Sequence, residues 1–210
     1  GGRCIAGKIY INSKFGDWIR PVSDRQDEEL SLNDYTYIDG KKAKLLDIVE
    51  ILNLRSKPHS YQQENFLIDQ QVDWKKIGGI DWNMLADAVD DNTRELWING
   101  PSSSRGTNDR ITESEAEALD YSLVLIKPNK LKMTTLLKDF PDQRPRPQLR
   151  ATFEYKGIPY GLGVTDPEME SKYIKITEPK CINDAYICVS VSEPFNGYCY
   201  KLIAAIITPD

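Results

Sequence analysis

The sequence has a single histidine, His59, and four cysteines, no two of which are separated by the two residues typical of a zinc-binding pair. A structural zinc site takes about four Cys or His ligands at such spacings, so we expect neither a metal site nor a cofactor. The scarcity also argues against Ser-His-Asp and Cys-His catalysis, because both need an imidazole base and His59 lies in an isolated Lys-Pro-His-Ser turn. We therefore expect no catalytic residue, and a protein that binds rather than catalyses.

Long apolar runs are also missing. The longest, residues 202–207, falls far below the roughly 18 residues of a membrane-spanning helix and suits a buried strand. The chain does not open with a basic stretch followed by an apolar one, so we expect no secretory signal and no membrane contact. Cys4, Cys188 and Cys199 lie in apolar or alternating stretches. This predicts buried thiols, four reduced cysteines including Cys181, and a cytoplasmic location.

An excess of positive charge is missing as well. The 210 residues include 27 Lys and Arg against 32 Asp and Glu, a formal net charge of −5. Phosphate binding requires Lys and Arg to displace counterions. Any nucleic-acid site must therefore be a local basic patch.

What is present indicates a mainly β protein with minor α content. Strands are predicted over residues 4–11, 18–22, 45–54, 61–68, 122–126, 149–155, 158–164, 186–192 and 198–207. A helix capped by Asp81 is predicted over 80–89, and Asp166 with Pro167 predicts the start of another helix. We expect two short-stranded β modules around a helix-containing middle segment.

Residues 149–164 show the clearest pattern. Along their first strand one side would carry Ala151, Phe153 and Tyr155, and the other Arg150, Thr152 and Glu154. The pair Lys156-Gly157 predicts the turn of a hairpin.

A loop over residues 100–110 separates the halves. It predicts a first module over 1–100, a linker or loop over 101–120, and a second module over 121–210. Gly100 and Gly106 match a phosphate-binding loop only weakly, because Thr107 stands where that loop needs lysine. A flexible linker is the simpler interpretation.

Aromatic and basic residues interleave in both halves. The candidate nucleic-acid-binding residues are Trp18, Arg20 and Arg25 in the first half, Arg105 and Arg110 in the loop, and Arg150, Tyr155 and Tyr160 in the second half. Single strands are bound by stacking bases on rings while guanidinium groups meet phosphates. For any one of these residues a core or surface role is the simpler explanation. Together they predict a binding face.

Three carboxylates, Asp166, Glu168 and Glu170, follow a predicted strand. Clustered carboxylates can bind magnesium for phosphodiester cleavage. The first turn of a helix also favours acidic residues through the helix dipole, and this structural explanation is favoured.

Five short motifs carry a family resemblance. They are Cys-Ile-Ala-Gly at 4–7, Trp-Ile-Arg-Pro-Val-Ser at 18–23, Tyr-Gln-Gln-Glu-Asn at 61–65, Val-Thr-Asp-Pro at 164–167 and Cys-Tyr-Lys-Leu-Ile-Ala-Ala at 199–205. Together they resemble the prokaryotic dual OB-containing domain family, found in bacterial proteins linked to genome-conflict or defence loci. The resemblance spans nearly the whole chain. It implies two small OB-like β-barrels packed together and a nucleic-acid-binding role, and it supplies no catalytic residue.

These observations lead to one prediction and two alternatives. We expect a non-enzymatic module that binds single-stranded DNA or RNA in a prokaryotic defence setting. The acidic net charge departs from that expectation and suits a protein-protein interaction module of a defence complex. The third possibility is a metal-dependent nuclease that uses Asp166 and Glu168.

Overall fold

The computed structural model describes residues 4–91, 95–140 and 143–209. The chain divides into two compact units, Gly1–Ala88 and Val89–Asp210, called here the N-terminal unit and the C-terminal unit. The sequence predicts this boundary at residue 100 and a linker over 101–120. The structure divides the chain earlier, because residues 95–109 hydrogen-bond to strands of the C-terminal unit.

The N-terminal unit is built from short strands. These are β1 (Gly7–Ile11), β2 (Lys14–Val22), β3 (Asp47–Glu50), β4 (Arg55–Ser56), β5 (Asn65–Leu67) and β6 (Lys75–Gly79). A four-stranded sheet has the order β1-β2-β5-β4, with β2 and β5 parallel, and β3 pairs with β6 in a two-stranded antiparallel ribbon. The helix predicted over 80–89 is a 3-10 helix, Trp82–Ala88, which buries Leu85 and Ala88.

The hairpin β1–β2 has a tight turn and a bulge. Asn12 and Ser13 have φ of 52° and 59°, the two left-handed residues of a type I′ turn, whose twist matches that of the flanking strands. Beyond the turn Tyr10 pairs with Phe15, but Lys8 pairs with Trp18, so β2 contains one extra residue. A bulge of this kind shifts the alternation of side chains. Phe15 and Trp18 therefore share one face although they are three residues apart.

The core of the N-terminal unit is mostly aromatic. Its buried cluster consists of Leu30, Tyr35, Tyr37, Ile68 and Trp74. The Tyr37 hydroxyl donates to Asp47 at 2.9 Å. This bond gives the polar end of a buried ring the partner that burial demands.

The C-terminal unit carries the larger sheet. Its strands are β7 (Arg110–Thr112), β8 (Leu123–Ile126), β9 (Leu131–Phe140), β10 (Gln143–Tyr155), β11 (Ile158–Val164), β12 (Lys180–Ile182), β13 (Tyr186–Val191) and β14 (Tyr198–Ile207), and its helices are α1 (Glu113–Ala116) and α2 (Pro167–Tyr173). The order is β12-β9-β10-β11-β14-β13-β8, with β7 also paired to β14.

The mainly β class is confirmed. Among the described strands the pairing follows open paths, so the barrel closure that the resemblance implies is not part of it. No helix within the described ranges is long and apolar enough to cross a membrane.

The predicted hairpin of residues 149–164 is confirmed. Tyr155 pairs with Ile158, and the turn residues Lys156 and Gly157 have φ of 50° and 83°. Of the six side chains predicted to alternate across this strand, five lie as expected: Ala151, Phe153 and Tyr155 are buried, and Thr152 and Glu154 are exposed.

Arg150 departs from the predicted alternation, because it is only 7% exposed. Its Nη2 donates to Asp109 Oδ2 at 3.0 Å and to the Gly161 carbonyl at 2.7 Å. Alternation determines the face on which a side chain lies, but whether another segment covers that face depends on the tertiary structure. Here Asp109 covers it, and Asp109 belongs to residues 95–109, which we call the covering segment.

The covering segment is held by hydrogen bonds. Thr107 and Gly161 exchange backbone hydrogen bonds of 3.2 and 2.9 Å, and Ser103 donates to Asp109 through its N–H and its hydroxyl. A Cβ at Gly106 would lie 1.8 Å from Asp109 Oδ2, so this position excludes any other residue without rearrangement. The glycines of the loop therefore serve packing, and the flexible linker expected here is a fixed part of the C-terminal unit.

Lys201 on β14 is fully buried beneath the covering segment. Its Nζ donates to the Ile98 carbonyl at 2.7 Å and to Asn99 Oδ1 at 3.0 Å, and it lies 5.5 Å from the centre of the Tyr160 ring. Burial disfavours the charged form and lowers the pKa of Lys201 to about 8. Three carboxylates oppose this shift, those of Glu95, Asp109 and Glu115.

None of the four cysteines forms a disulfide bond. Cys188 and Cys199 are buried, as expected, whereas Cys4 and Cys181 are exposed. The expectation for Cys4 is wrong because β1 begins only at Gly7, which leaves residue 4 outside the sheet.

The buried ion pair predicts a large cost for Asp109→Ala. The change leaves the Arg150 guanidinium buried without its carboxylate, and we expect a loss of about 3–5 kcal/mol in the free energy of unfolding, measured by urea denaturation. The control is Asp184→Ala, since Asp184 and Lys127 form an ion pair in which both side chains are exposed, and it should cost less than about 1 kcal/mol. Equal losses would contradict the structural role of Asp109.

The lowered pKa of Lys201 predicts an unusual pH dependence. Between the folded pKa of about 8 and the ordinary value of 10.5 the unfolded chain holds a proton that the folded chain releases, so stability should rise with pH in this window. The slope from this group approaches about 1.4 kcal/mol per pH unit. We expect the free energy of unfolding of the wild type, measured by urea denaturation, to rise relative to that of Lys201→Met between pH 8 and pH 9.5, with a slope that approaches this value. A difference in unfolding free energy between the two proteins that does not change with pH would show that Lys201 titrates normally.

Candidate nucleic-acid interface

One face of the β1–β2 hairpin carries a set of rings with a cation. This hairpin face consists of Lys8, Tyr10, Phe15 and Trp18, all half-buried. The Lys8 Nζ lies 5.4 Å from the centre of the Trp18 ring, and the centres of the Tyr10 and Phe15 rings are 5.0 Å apart. Rings and an ammonium group on one exposed hairpin are the combination that binds bases and phosphates of a single strand.

The opposite side of the same hairpin differs in character. Ile11 and Ile9 lie there, 64% and 36% exposed. The bulge between the Lys8 and Tyr10 pairings produces this segregation, because it returns Phe15 to the side of Trp18. The side that carries the rings is thus set by the register of the hairpin.

The predicted site residues of the N-terminal unit separate into two groups. Trp18 lies on the hairpin face. Arg20 is buried and forms an ion pair with Glu64 at 3.1 Å, and its N–H donates to the Glu64 carbonyl at 2.7 Å. Arg25 forms a bidentate ion pair with Asp34, in which Nη1 donates to Oδ2 at 2.7 Å and Nη2 donates to Oδ1 at 3.1 Å.

Arg25 and Asp34 tie together the loop that follows β2. Burial by itself raises the pKa of Asp34, but the hydrogen bonds from Arg25 and Ser31 outweigh it and lower that pKa to about 2. Both arginines therefore have structural partners, and the structure brings neither into the hairpin face.

The predicted residues of the C-terminal unit lie mainly inside it. Tyr155 and Tyr160 are buried, as is Arg150. The Tyr160 hydroxyl accepts from the Leu96 N–H at 3.0 Å, and burial raises its pKa. Tyr160 and Arg150 thus help to hold the covering segment in place.

The two candidates from the loop have different surroundings. Arg105 is exposed on the covering segment. Arg110 is half-buried on β7, and its guanidinium carbon lies 3.9 Å from the centre of the Tyr198 ring. Arg110 is the predicted residue of this unit that the structure places beside an accessible ring.

The carboxylates considered for a magnesium site have other roles. Asp166 caps α2, as predicted, because its Oδ1 accepts from the N–H groups of Glu168 and Met169. Its Oδ2 accepts from the Ile206 N–H at 2.8 Å. Burial and the charge of Asp166 raise the pKa of Glu170. Both oxygens of Asp166 are thus engaged by the backbone, and the described residues contain no group of three or more His, Cys, Asp or Glu placed to hold a metal.

Sequence reasoning missed most of the hairpin face. Lys8, Tyr10 and Phe15 lie within or beside predicted strands, and Asn12-Ser13 marks the end of the first strand. Those two residues are the signal from which the turn is predictable. The bulge leaves no such signal, and without it the pattern places Phe15 on the wrong side of Trp18.

The motifs behind the family resemblance meet in space. Arg20, from the motif at 18–23, pairs with Glu64, from the motif at 61–65. Thr165, from the motif at 164–167, hydrogen-bonds through its N–H to Ile203, from the motif at 199–205, at 2.9 Å. Each contact lies within one unit and joins two parallel strands or their ends.

A comparison with protein families confirms the family resemblance. Searches among curated proteins and among solved structures found no match. A family model described as the dual OB-containing domain matches residues 1–206, nearly the entire chain. The protein therefore belongs to the family of dual OB-containing domains.

Proposed function

We propose that this chain is a non-enzymatic binding module that holds single-stranded nucleic acid on its hairpin face. The observation that carries the proposal is the grouping of Trp18, Tyr10 and Phe15 with Lys8 on one side of the β1–β2 hairpin. OB folds bind single strands with aromatic rings beside basic groups. The DNA or RNA preference and the prokaryotic defence setting stay predictions.

The size of the expected affinity follows from stacking. Each base stacked on an aromatic ring contributes about 1–3 kcal/mol, so two or three rings support a dissociation constant on the order of micromolar. Because every base has a π-face, such binding tolerates sequence changes. The net charge of −5 is compatible with it, since stacking rather than charge supplies most of the affinity.

The alternative of a protein-interaction module is favoured by the acidic net charge and by the exposed Ile11 on the opposite side of the hairpin. It predicts no oligonucleotide binding even at low salt. A nuclease is not proposed, because the backbone engages Asp166 on both oxygens.

The hairpin face predicts that Trp18→Ala weakens binding of a fluorescein-labelled oligothymidylate about 5- to 150-fold, the loss of one stacked base. Fluorescence anisotropy at low salt measures it. Trp18→Phe should retain most of the affinity because a ring remains. Ile11→Ala, on the opposite side, is the matched control and should bind as the wild type does. If the wild type does not bind DNA or RNA, the interaction-module alternative replaces this proposal.

The ammonium group on the same face predicts a change in salt dependence. If Lys8 meets a phosphate, Lys8→Gln should reduce the slope of log Kd against log salt by about 0.7, the value for one phosphate of a single strand. Lys14→Gln is the control, because Lys14 pairs with Ile11 and lies on the opposite side. Equal slopes for Lys8→Gln and the wild type would remove Lys8 from the interface and leave the stacking test intact.

A further inference from the structure

The C-terminal unit has a second face with rings and a cation, at the pairing of β7 with β14. Tyr198 pairs with Thr112, and Tyr200 pairs with Arg110. These four side chains lie on one side, whereas Cys199 and Ile111, which alternate with them, are fully buried on the other. The register of a single strand pair thus places Arg110, Tyr198 and Tyr200 together.

A tight turn adds a fourth member. Asn196 and Gly197 have φ of 53° and 77°, the left-handed pair of a type I′ turn, and Phe195 pairs with Tyr198 across it. Opposite residues of such a pair lie on the same side of the ribbon. Phe195 is 63% exposed. We call Arg110, Phe195, Tyr198 and Tyr200 the β7–β14 face.

Arg110 has surroundings unlike those of Arg20, Arg25 and Arg150. Each of those three forms an ion pair with a carboxylate. Arg110 stacks on Tyr198 at 3.9 Å, and within the described residues its guanidinium has no carboxylate partner. A buried polar group normally has a hydrogen-bond partner, but its Nε is buried without one.

The carboxylate of Glu115, on the helix α1 that follows β7, is already engaged. Glu115 Oε2 accepts from the Thr112 N–H at 3.0 Å and from its hydroxyl at 2.6 Å, and the Thr112 hydroxyl accepts from the Glu115 N–H. This capping box directs the acidic group to the start of α1. Glu115 therefore serves the start of α1, and no carboxylate of the described residues forms an ion pair with Arg110.

We propose that the β7–β14 face is a second contact for single-stranded nucleic acid, where Arg110 meets a phosphate and the rings of Phe195, Tyr198 and Tyr200 stack on bases. A guanidinium group held flat on a ring is preorganised for two parallel hydrogen bonds to a phosphate. Rings two residues apart on a strand are about 6.8 Å apart, enough for each to contact its own base. The inference takes its class of ligand from the proposed function, but its residues lie in the other unit.

The test uses the full chain and a labelled oligothymidylate of about 16 nucleotides, near the upper site size of one OB fold. Phe195→Ala and Arg110→Gln should each weaken binding at least about 5-fold. Leu137→Ala is the matched control, because Leu137 lies in the same unit and is also 63% exposed. It should bind as the wild type does. Urea denaturation of each variant confirms that it is folded.

A second measurement locates the contact. Photo-crosslinking of a 4-thiothymidine oligonucleotide, followed by mass spectrometry of peptides, should mark the segment that contains residues 195–200. The proposal is overturned if crosslinks occur only at residues 7–22 and Phe195→Ala binds like Leu137→Ala. The hairpin face is then the single contact for the oligonucleotide. If crosslinks occur only at residues 195–200 and Trp18→Ala binds the oligonucleotide as the wild type does, binding on the hairpin face is contradicted and binding on the β7–β14 face is supported. A wild type that binds no oligonucleotide at low salt would overturn both.

Discussion

The carboxylate of Asp109 is the group on which the C-terminal unit most depends. Its oxygens accept from the Arg150 guanidinium and from Ser103, and the Asp109 carbonyl accepts from the Lys201 N–H on β14 at 2.9 Å. One buried residue thus joins the covering segment to β10 and β14. Since a buried charge without a partner costs several kcal/mol, these contacts depend on one another. The close approach of Gly106 follows from the same requirement, because the carboxylate occupies the space of a side chain.

This arrangement also determines which arginine side chains are buried and which are accessible. β7 begins at Arg110, directly after Asp109, and pairs with the start of β14. Because Asp109 lies inward, the next residue points to the other side, as alternation along a strand requires. Arg110 is therefore presented on the outer face while Arg150 is used internally. Two arginines that look equivalent in the sequence receive opposite roles from one buried contact.

In the N-terminal unit buried and half-buried side chains of the same strand are separated in the same way. Arg20 is used in an ion pair with Glu64, where β2 and β5 run parallel. Trp18, two residues earlier on β2, lies where only β1 is its neighbour in the four-stranded sheet. The ring is half-buried, and it shares its side of the hairpin with Tyr10 and Phe15 only because of the bulge. This chain thus carries rings with a cation on one strand pair in each unit.

The sequence by itself determined the local features. The alternation at 149–155, the Lys156-Gly157 turn, the Asp166 cap and the strand over 198–207 are all present, because side-chain periodicity and turn chemistry act over a few neighbouring residues. The family was also recognisable from short motifs. Only the tertiary structure decided which cations are buried, where the units divide and which rings share a face. Arg20 and Arg150 are of a residue type that binds phosphates, but each contacts a carboxylate that is distant in sequence. The bulge in β2 reverses the side of the hairpin on which Phe15 lies. These outcomes depend on long-range pairing and on which segment covers a strand, and no local pattern encodes either.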